Sequence, residues 1–187
     1  MSIFVSIDGV DGVGKTTTAR LLAASRGFQY YKSPSGPFED LRKEVDKYAS
    51  PIGRYAFYRL ALEHDSAVIA KMLETGPVVA DRYIASTFAY HVVLDPRTRE
   101  IHSEMNLLRP TFQILLSARP EIRIRRLEKR RAGEMRKASD VKLEDNVALL
   151  NNVADIFRSL GLSEIDTSDI TPEEVVTRIS AITSTGG

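Results

Sequence analysis

The sequence predicts an α/β fold in three layers, with a parallel sheet of about five strands between two layers of helices. Short apolar runs recur along the chain, and each is followed by a stretch with helical spacing. Strands that alternate with helices in this way pair in parallel through right-handed crossovers. The length of 187 residues, with 43% hydrophobic and 27% charged residues, suits one well-buried domain over 1–187.

Ile3–Asp8 reads as a buried strand, too apolar to be half exposed. Thr16–Ser25 is a helix that Gly27 caps at its C-terminus, and Phe28–Tyr31 is the second strand. The turn-rich Lys32–Pro37 leads into a helix to about Tyr48, which Pro51 and Gly53 break. Arg54–Leu73 is a long helix ended by Gly76-Pro77, and Pro77–Ala80 is a buried strand. Helical segments then run to Leu108, interrupted near Asp95-Pro96. Phe112–Ser117 is a strand and Pro120–Arg131 a helix with proline in its first turn. Asn146–Leu160 is a helix, Ser163–Asp166 a last strand, and Thr171 with Pro172 opens the final helix.

The composition narrows the function. A net charge of +1 gives no global reason to bind nucleic acid or membranes, and the absence of cysteine excludes disulfides, thiolate metal sites and a cysteine nucleophile. No apolar run approaches the roughly 20 residues of a membrane helix, and no signal-peptide pattern opens the chain, so a cytoplasmic protein is expected.

Gly9-Val10-Asp11-Gly12-Val13-Gly14-Lys15-Thr16 matches the phosphate-loop pattern G-x-x-x-x-G-K-S/T, with a strand before it and a helix after it. Such a loop turns backbone N–H groups onto a phosphate, and the helix N-terminus adds its dipole. Lys15 would place charge on the transferred phosphoryl group, and the Thr16 hydroxyl would ligate Mg²⁺. The expected ATP site is Gly9, Asp11, Gly12, Val13, Gly14, Lys15, Thr16 and Thr17. A GTPase would carry a guanine-reading N-K-x-D motif, which is absent from the sequence, and a large ATPase would need more chain. A small-molecule kinase with a P-loop kinase fold follows.

Asp81 and Arg82 fall at the carboxyl end of the third strand, where open α/β sheets bind their ligands. The carboxylate suits magnesium through water, and the guanidinium suits phosphate. The segment Asp81-Arg82-Tyr83-Ile84-Ala85-Ser86-Thr87-Phe88-Ala89-Tyr90-His91 resembles the D-R-Y/H-x-x-S-x-x-A-Y-Q segment of the thymidylate kinase family, and the resemblance extends along the chain. It implies ATP and Mg²⁺, a nucleoside monophosphate acceptor and a homodimer. It also implies Asp11 near the acceptor sugar, Arg82 between donor and acceptor phosphates, and Phe57 stacked on the base. Ser86 and Tyr90 would line the acceptor pocket, and Arg126 would lie near the donor adenine.

The departures lie on the acceptor side. The family's T-R-E-P-G-G is replaced by Tyr31-Lys32-Ser33-Pro34-Ser35-Gly36, where Lys32 keeps a charge but loses the planar fork. His64 aligns with the family's histidine, but its arginine position is Ala61, with Arg59 two residues earlier. That offset turns the side chain by about 200° around the helix. His91 stands in place of the glutamine. Lys32, Phe57, Arg59, His64, Ser86, Tyr90 and His91, with Asp11 and Arg82, form the expected acceptor set.

From Arg119 to Lys137 nine basic residues stand against the three acids Glu121, Glu128 and Glu134. We read this stretch as a mobile lid around 131–144, with Arg126 and Arg130 on one face. Family members with glycine at the position of Gly12 take a catalytic arginine from the lid, which would be Arg131 or Arg136. The expected reaction is transfer of the ATP γ-phosphoryl to a (deoxy)nucleoside 5′-monophosphate, dTMP first, with Lys15, Arg82, Asp11 and a lid arginine as catalytic groups. The alternatives are a kinase of a nucleoside or other small metabolite, and a non-catalytic ATP- or nucleic-acid-binding module.

Overall fold

The computed structural model describes residues 2–133 and 147–184. Five strands, β1 (Phe4–Asp8), β2 (Gln29–Lys32), β3 (Val78–Asp81), β4 (Phe112–Ser117) and β5 (Ser163–Asp166), form one sheet in the order β2-β3-β1-β4-β5. Every pairing is parallel, and Ile7 at the centre lies opposite Asp81 on one side and Ile114 on the other. That register brings the carboxyl ends of β1 and β3 together at one edge, where the loops that follow them meet.

The helices are α1 (Lys15–Arg26), α2 (Pro37–Tyr48), α3 (Pro51–Leu73), α4 (Ile84–Leu94), α5 (Thr98–Ile101), α6 (Pro120–Gly133), α7 (Val147–Ser159) and α8 (Pro172–Ser184). α1 packs on α8, whereas α4 packs between α3 and α7. Successive strand residues point to opposite faces of a sheet. Phe4, Val78 and Ala80 accordingly meet Leu62 and Ile69 of α3. Val5, Ile7 and Val79 belong instead to the cluster that holds Ala19 and Leu22 of α1 with Val176 and Ile179 of α8. Both faces of the sheet are thus dry, as the continuous apolar runs imply.

The helix before Pro51 ends at Tyr48 as expected, but the long helix opens at Pro51 rather than Arg54. The Ser50 hydroxyl accepts the Gly53 N–H at 3.1 Å, and Pro51 occupies the first turn, where its missing N–H costs nothing. The helical expectation up to Leu108 ends at Ile101. Beyond it, the Arg59 guanidinium donates to the carbonyls of Ser103 at 2.7 Å and Met105 at 2.8 Å, and the Leu108 N–H donates to the Ser66 hydroxyl at 3.2 Å. These tertiary bonds take the groups a helix would have used. At α8 the expected cap is present, with Glu174 N–H on the Thr171 hydroxyl and Thr171 N–H on the Glu174 carboxylate. Among the described residues no helix is long and apolar enough to cross a membrane.

Phe157 of α7 is fully buried, and its ring meets that of Tyr90 on α4 at 6.3 Å between centroids. Phe157→Ala should cost about 3–5 kcal/mol of stability, read as a lowered midpoint in urea denaturation.

Candidate active site

The loop between β1 and α1 is pressed on two sides. Gly9 has φ 139°, and a Cβ there would sit 2.3 Å from the Leu116 carbonyl oxygen of β4. Gly12 has φ 87°, and its Cβ would lie 2.8 Å from the Arg123 carbonyl oxygen of α6. Only glycine combines those angles with such close backbone approach. Lys15, in the first turn of α1, is buried and donates from Nζ to the Val10 carbonyl at 2.8 Å, with the Asp11 carboxylate at 3.8 Å. Burial depresses the Lys15 ammonium to about 8; Arg82 adds to the fall, and Asp11, Asp81 and Asp8 oppose it.

Asp8 closes β1 with no exposed surface, and its Oδ1 accepts three hydrogen bonds from the start of α4. These come from the N–H groups of Tyr83 and Ser86, each at 3.0 Å, and from the Ser86 hydroxyl at 2.5 Å. This clamp holds Arg82, the residue before Tyr83, at φ 69° in the left-handed region, an arrangement that costs on the order of 1–3 kcal/mol for a non-glycine residue. The Arg82 guanidinium reaches back to pair with Asp11 and lies over the Tyr90 ring at 5.3 Å. The Tyr90 hydroxyl donates to the other Asp11 oxygen at 3.2 Å. Burial alone would raise the Asp11 carboxyl, but Arg82 and Lys15 outweigh it and hold the group well below the usual carboxylate range. Burial likewise opposes the charge on Arg82, and Asp11, Tyr90 and Asp81 together outweigh it and hold the guanidinium charged.

The Thr16 hydroxyl donates to Asp81 Oδ2 at 2.5 Å, and the Tyr30 hydroxyl lies 3.4 Å from the same oxygen. A hydroxyl and one carboxylate beside a phosphate loop fit Mg²⁺, which keeps most of its waters and takes few protein ligands. Among the described residues no group of three or more His, Cys, Asp or Glu side chains forms a metal cage, so the set present suits a metal carried in on phosphate.

These residues open onto a cleft of about 800 Å³. Its described lining includes Lys15, Lys32, Arg42, Arg82, Arg126, Lys129 and Arg130 against only two carboxylates, Asp11 and Asp81. Such an excess of cations beside the start of α1 suits a polyphosphate. Arg126 is fixed there by donating to the Thr167 hydroxyl at 2.9 Å and carbonyl at 2.7 Å, while the same hydroxyl donates to the Val13 carbonyl at 2.9 Å. β5, α6 and the phosphate loop are thereby locked together on the donor side.

The expected acceptor residues divide. Asp11, Lys32 and Arg82 line the cleft, with Lys32 paired to Glu39 at 2.8 Å. Phe57 and His64 of α3 both meet Phe38 of α2, at 5.5 Å between ring centroids in each case. Ser86 and Tyr90 stand behind the cleft, one spent on Asp8 and the other on Asp11. Arg59 is placed elsewhere, held by the Ser103 and Met105 carbonyls and by Glu63 at 3.0 Å. His91 is also placed elsewhere, 4% exposed between the rings of Tyr55 and Tyr58, with Nδ1 2.6 Å from the Thr87 carbonyl. Burial lowers it to about 4, so it is a neutral packing residue. Of the lid, the Arg131 side chain, Arg136 and residues 134–144 lie outside the described residues.

Sequence reasoning missed Asp8, Thr167 and Arg42. Asp8 had a signal in its position as an acid ending an otherwise apolar strand. Arg130, read only as sharing a face with Arg126, lines the cleft and contributes to the lowering of Asp11.

A parallel α/β sheet with a phosphate loop, a carboxylate for a metal and a cation-lined cleft defines a P-loop phosphotransferase. The Thymidylate kinase family description matches residues 7–179, and the chain belongs to the thymidylate kinase family. It is 32% identical over 152 residues to the thymidylate kinase of Symbiobacterium thermophilum, covering 72% of this chain and 69% of that protein. A probable thymidylate kinase of Archaeoglobus fulgidus is 30% identical over 138 residues, covering 68% of this chain and 70% of that one. A solved thymidylate kinase from Candida albicans shares the fold with a TM-score of 0.75 at 20% identity, over 98% of this chain and 92% of that one. The protein is an enzyme of the nucleoside monophosphate kinase class.

The depressed Lys15 makes a pH prediction. Burial lowers it to about 8, so its positive charge in the cleft is lost as pH rises through 8. The kcat/KM for the nucleotide donor should therefore fall about tenfold between pH 7 and pH 9. Steady-state rates across that range check it, and a flat profile would show that the Lys15 ammonium is not depressed.

Proposed function

We propose that the protein transfers the γ-phosphoryl group of ATP to the 5′-phosphate of dTMP, giving ADP and dTDP. The observation that carries this reading is the Asp11–Arg82 pair in the cation-lined cleft: the phosphate loop and the acceptor side share one ion pair. An oxygen of the acceptor phosphate attacks the γ-phosphorus in line as the bond to the β-phosphate oxygen breaks, and the electron pair leaves on ADP. No covalent enzyme intermediate and no general base are required, since the acceptor phosphate arrives as an anion. Lys15, held ready by the Val10 carbonyl, neutralises charge on the donor side. Arg82, aimed by Asp11 and backed by Tyr90, is placed to bridge the two phosphates. Thr16 and Asp81 would hold Mg²⁺, which when bound neutralises charge on the donor phosphates. Arg126, anchored to Thr167, borders the space for the donor base.

The acceptor assignment draws support from relatives named as thymidylate kinases and from the Phe38, Phe57 and His64 rings beside the loop that carries Lys32 and Ser33. The Candida albicans enzyme is described as having broad substrate specificity, so other monophosphates belong in the assay beside dTMP. Nucleotides rather than nucleic acid are the partners in this reading, because Arg126, Lys129 and Arg130 line the cleft and Arg119 is paired with Asp169. The single domain 1–187 acts in the cytoplasm as a homodimer, as the family resemblance implies, and sedimentation at assay concentration measures that state.

Coupled measurement of ADP release with Mg²⁺, ATP and a panel of monophosphates and nucleosides tests the reading. dTMP should be the preferred acceptor, and background rates with every monophosphate would overturn the proposal. Lys15→Ala should lower kcat at least on the order of 100-fold with the circular dichroism spectrum retained. Asp81→Asn should raise the Mg²⁺ concentration needed for half-maximal rate several-fold, read by titrating the metal at fixed ATP.

A further inference from the structure

We infer that Asp65 positions the acceptor wall of the cleft, serving phosphoryl transfer without touching the substrate. Asp65 lies on α3 with no exposed surface. Its Oδ1 accepts from the Tyr31 hydroxyl at 2.6 Å, the Ser35 hydroxyl at 3.1 Å and the Ser35 N–H at 3.3 Å; its Oδ2 accepts from the Ser33 hydroxyl at 2.5 Å. These donors belong to residues 31–35, which span the end of β2 and the segment leading to α2. Lys32 and Ser33 of that segment line the cleft together with Asp81 and Arg82.

No cation among the described residues pairs with Asp65, so four neutral donors satisfy the buried carboxylate. A buried charge in that state depends on each bond it keeps. The segment in turn depends on the charge, because Ser33, Pro34, Ser35 and Gly36 lie beyond the end of β2 and outside the sheet ladder. The other side of the segment is pinned where the Ser33 N–H donates to the Asp81 carbonyl at 3.2 Å. One residue before Asp65, His64 stands beside Gly36 and Phe38, which seats the exit of the segment on the same helix. Asp65 therefore sets where Ser33 stands relative to Arg82, next to Lys32, which the sheet ladder holds opposite Asp81. The phosphate loop is tied elsewhere, its Val13 carbonyl accepting from the Thr167 hydroxyl at 2.9 Å, and none of the four Asp65 bonds reaches it.

This inference rests on the proposed monophosphate acceptor, and its test separates the two. Calorimetric titration of dTMP and of ATP into wild type and Asp65→Asn, alongside steady-state KM values, reads each wall by itself. Asp65→Asn keeps the shape but removes the charge, and should weaken dTMP binding and raise its KM about tenfold, with ATP binding unchanged within twofold. The double variant Asp65→Asn/Ser33→Ala should be no worse for dTMP than Asp65→Asn alone, since both act through one contact. Tyr31→Phe removes a single hydroxyl donor and should raise the dTMP KM a few-fold, which keeps the test decisive if Asp65→Asn does not fold. Unchanged dTMP binding in the folded variants, or equal losses for dTMP and ATP, overturns the positioning role. A wild type that binds dTMP without phosphorylating it overturns the kinase reading alone, and one that binds no monophosphate overturns both.

Discussion

The site depends on the buried carboxylate of Asp8. It ends the central strand and receives the first turn of α4, tying two segments 75 residues apart in the chain. Arg82 sits inside that junction and takes a backbone conformation it would not adopt alone. Without the clamp, nothing local would aim its guanidinium back over the phosphate loop. The arrangement carries a cost, since Asp8 Oδ2 is buried without a hydrogen-bond partner. The positive charge of Lys15 nearby offsets part of it.

From that junction the electrostatics follow. Lys15 is a buried cation and Arg82 a partly buried one; they would repel each other, and Asp11 lies against both. The carboxylate thus does more than orient Arg82; it makes the cation pair tolerable before any phosphate arrives. Tyr90 completes the group by presenting its ring to Arg82 and its hydroxyl to Asp11, and its own ring rests on Phe157 in the core. A charged site is thereby braced against the apolar packing of α4 and α7, which resists the reorganisation that would otherwise slow transfer of charge.

The two walls of the cleft are built by different means. The proposed donor wall is nearly continuous in sequence, with a strand end, a loop and a helix start in one run of residues, closed by Thr167 just after β5. The proposed acceptor wall is assembled at a distance, from a segment after β2 resting on Asp65 and His64 of α3. This division matches the chemistry: a triphosphate offers many contacts to a fixed cradle, whereas the acceptor must be set to one line of approach.

The same division decides what was legible in the chain. Alternating apolar runs and helical spacing were enough for the five strands, since both faces of the sheet are dry and each run is bounded by turn residues. The phosphate loop was legible as a motif, because Gly9, Gly12 and Gly14 stand in one short run between a strand and a helix, at positive φ. Arg59, Ser86 and His91 were not, because which helix face meets which neighbour is settled only when α3, α4 and the 102–108 segment pack. There Arg59 is drawn to two free carbonyls, Ser86 to Asp8 and His91 into an aromatic gap. Sequence alone determined the layers and the phosphate cradle, which rest on local periodicity and backbone freedom. Tertiary structure decided the acceptor side, because buried carboxylates such as Asp8 and Asp65 choose partners that only the folded chain brings within reach.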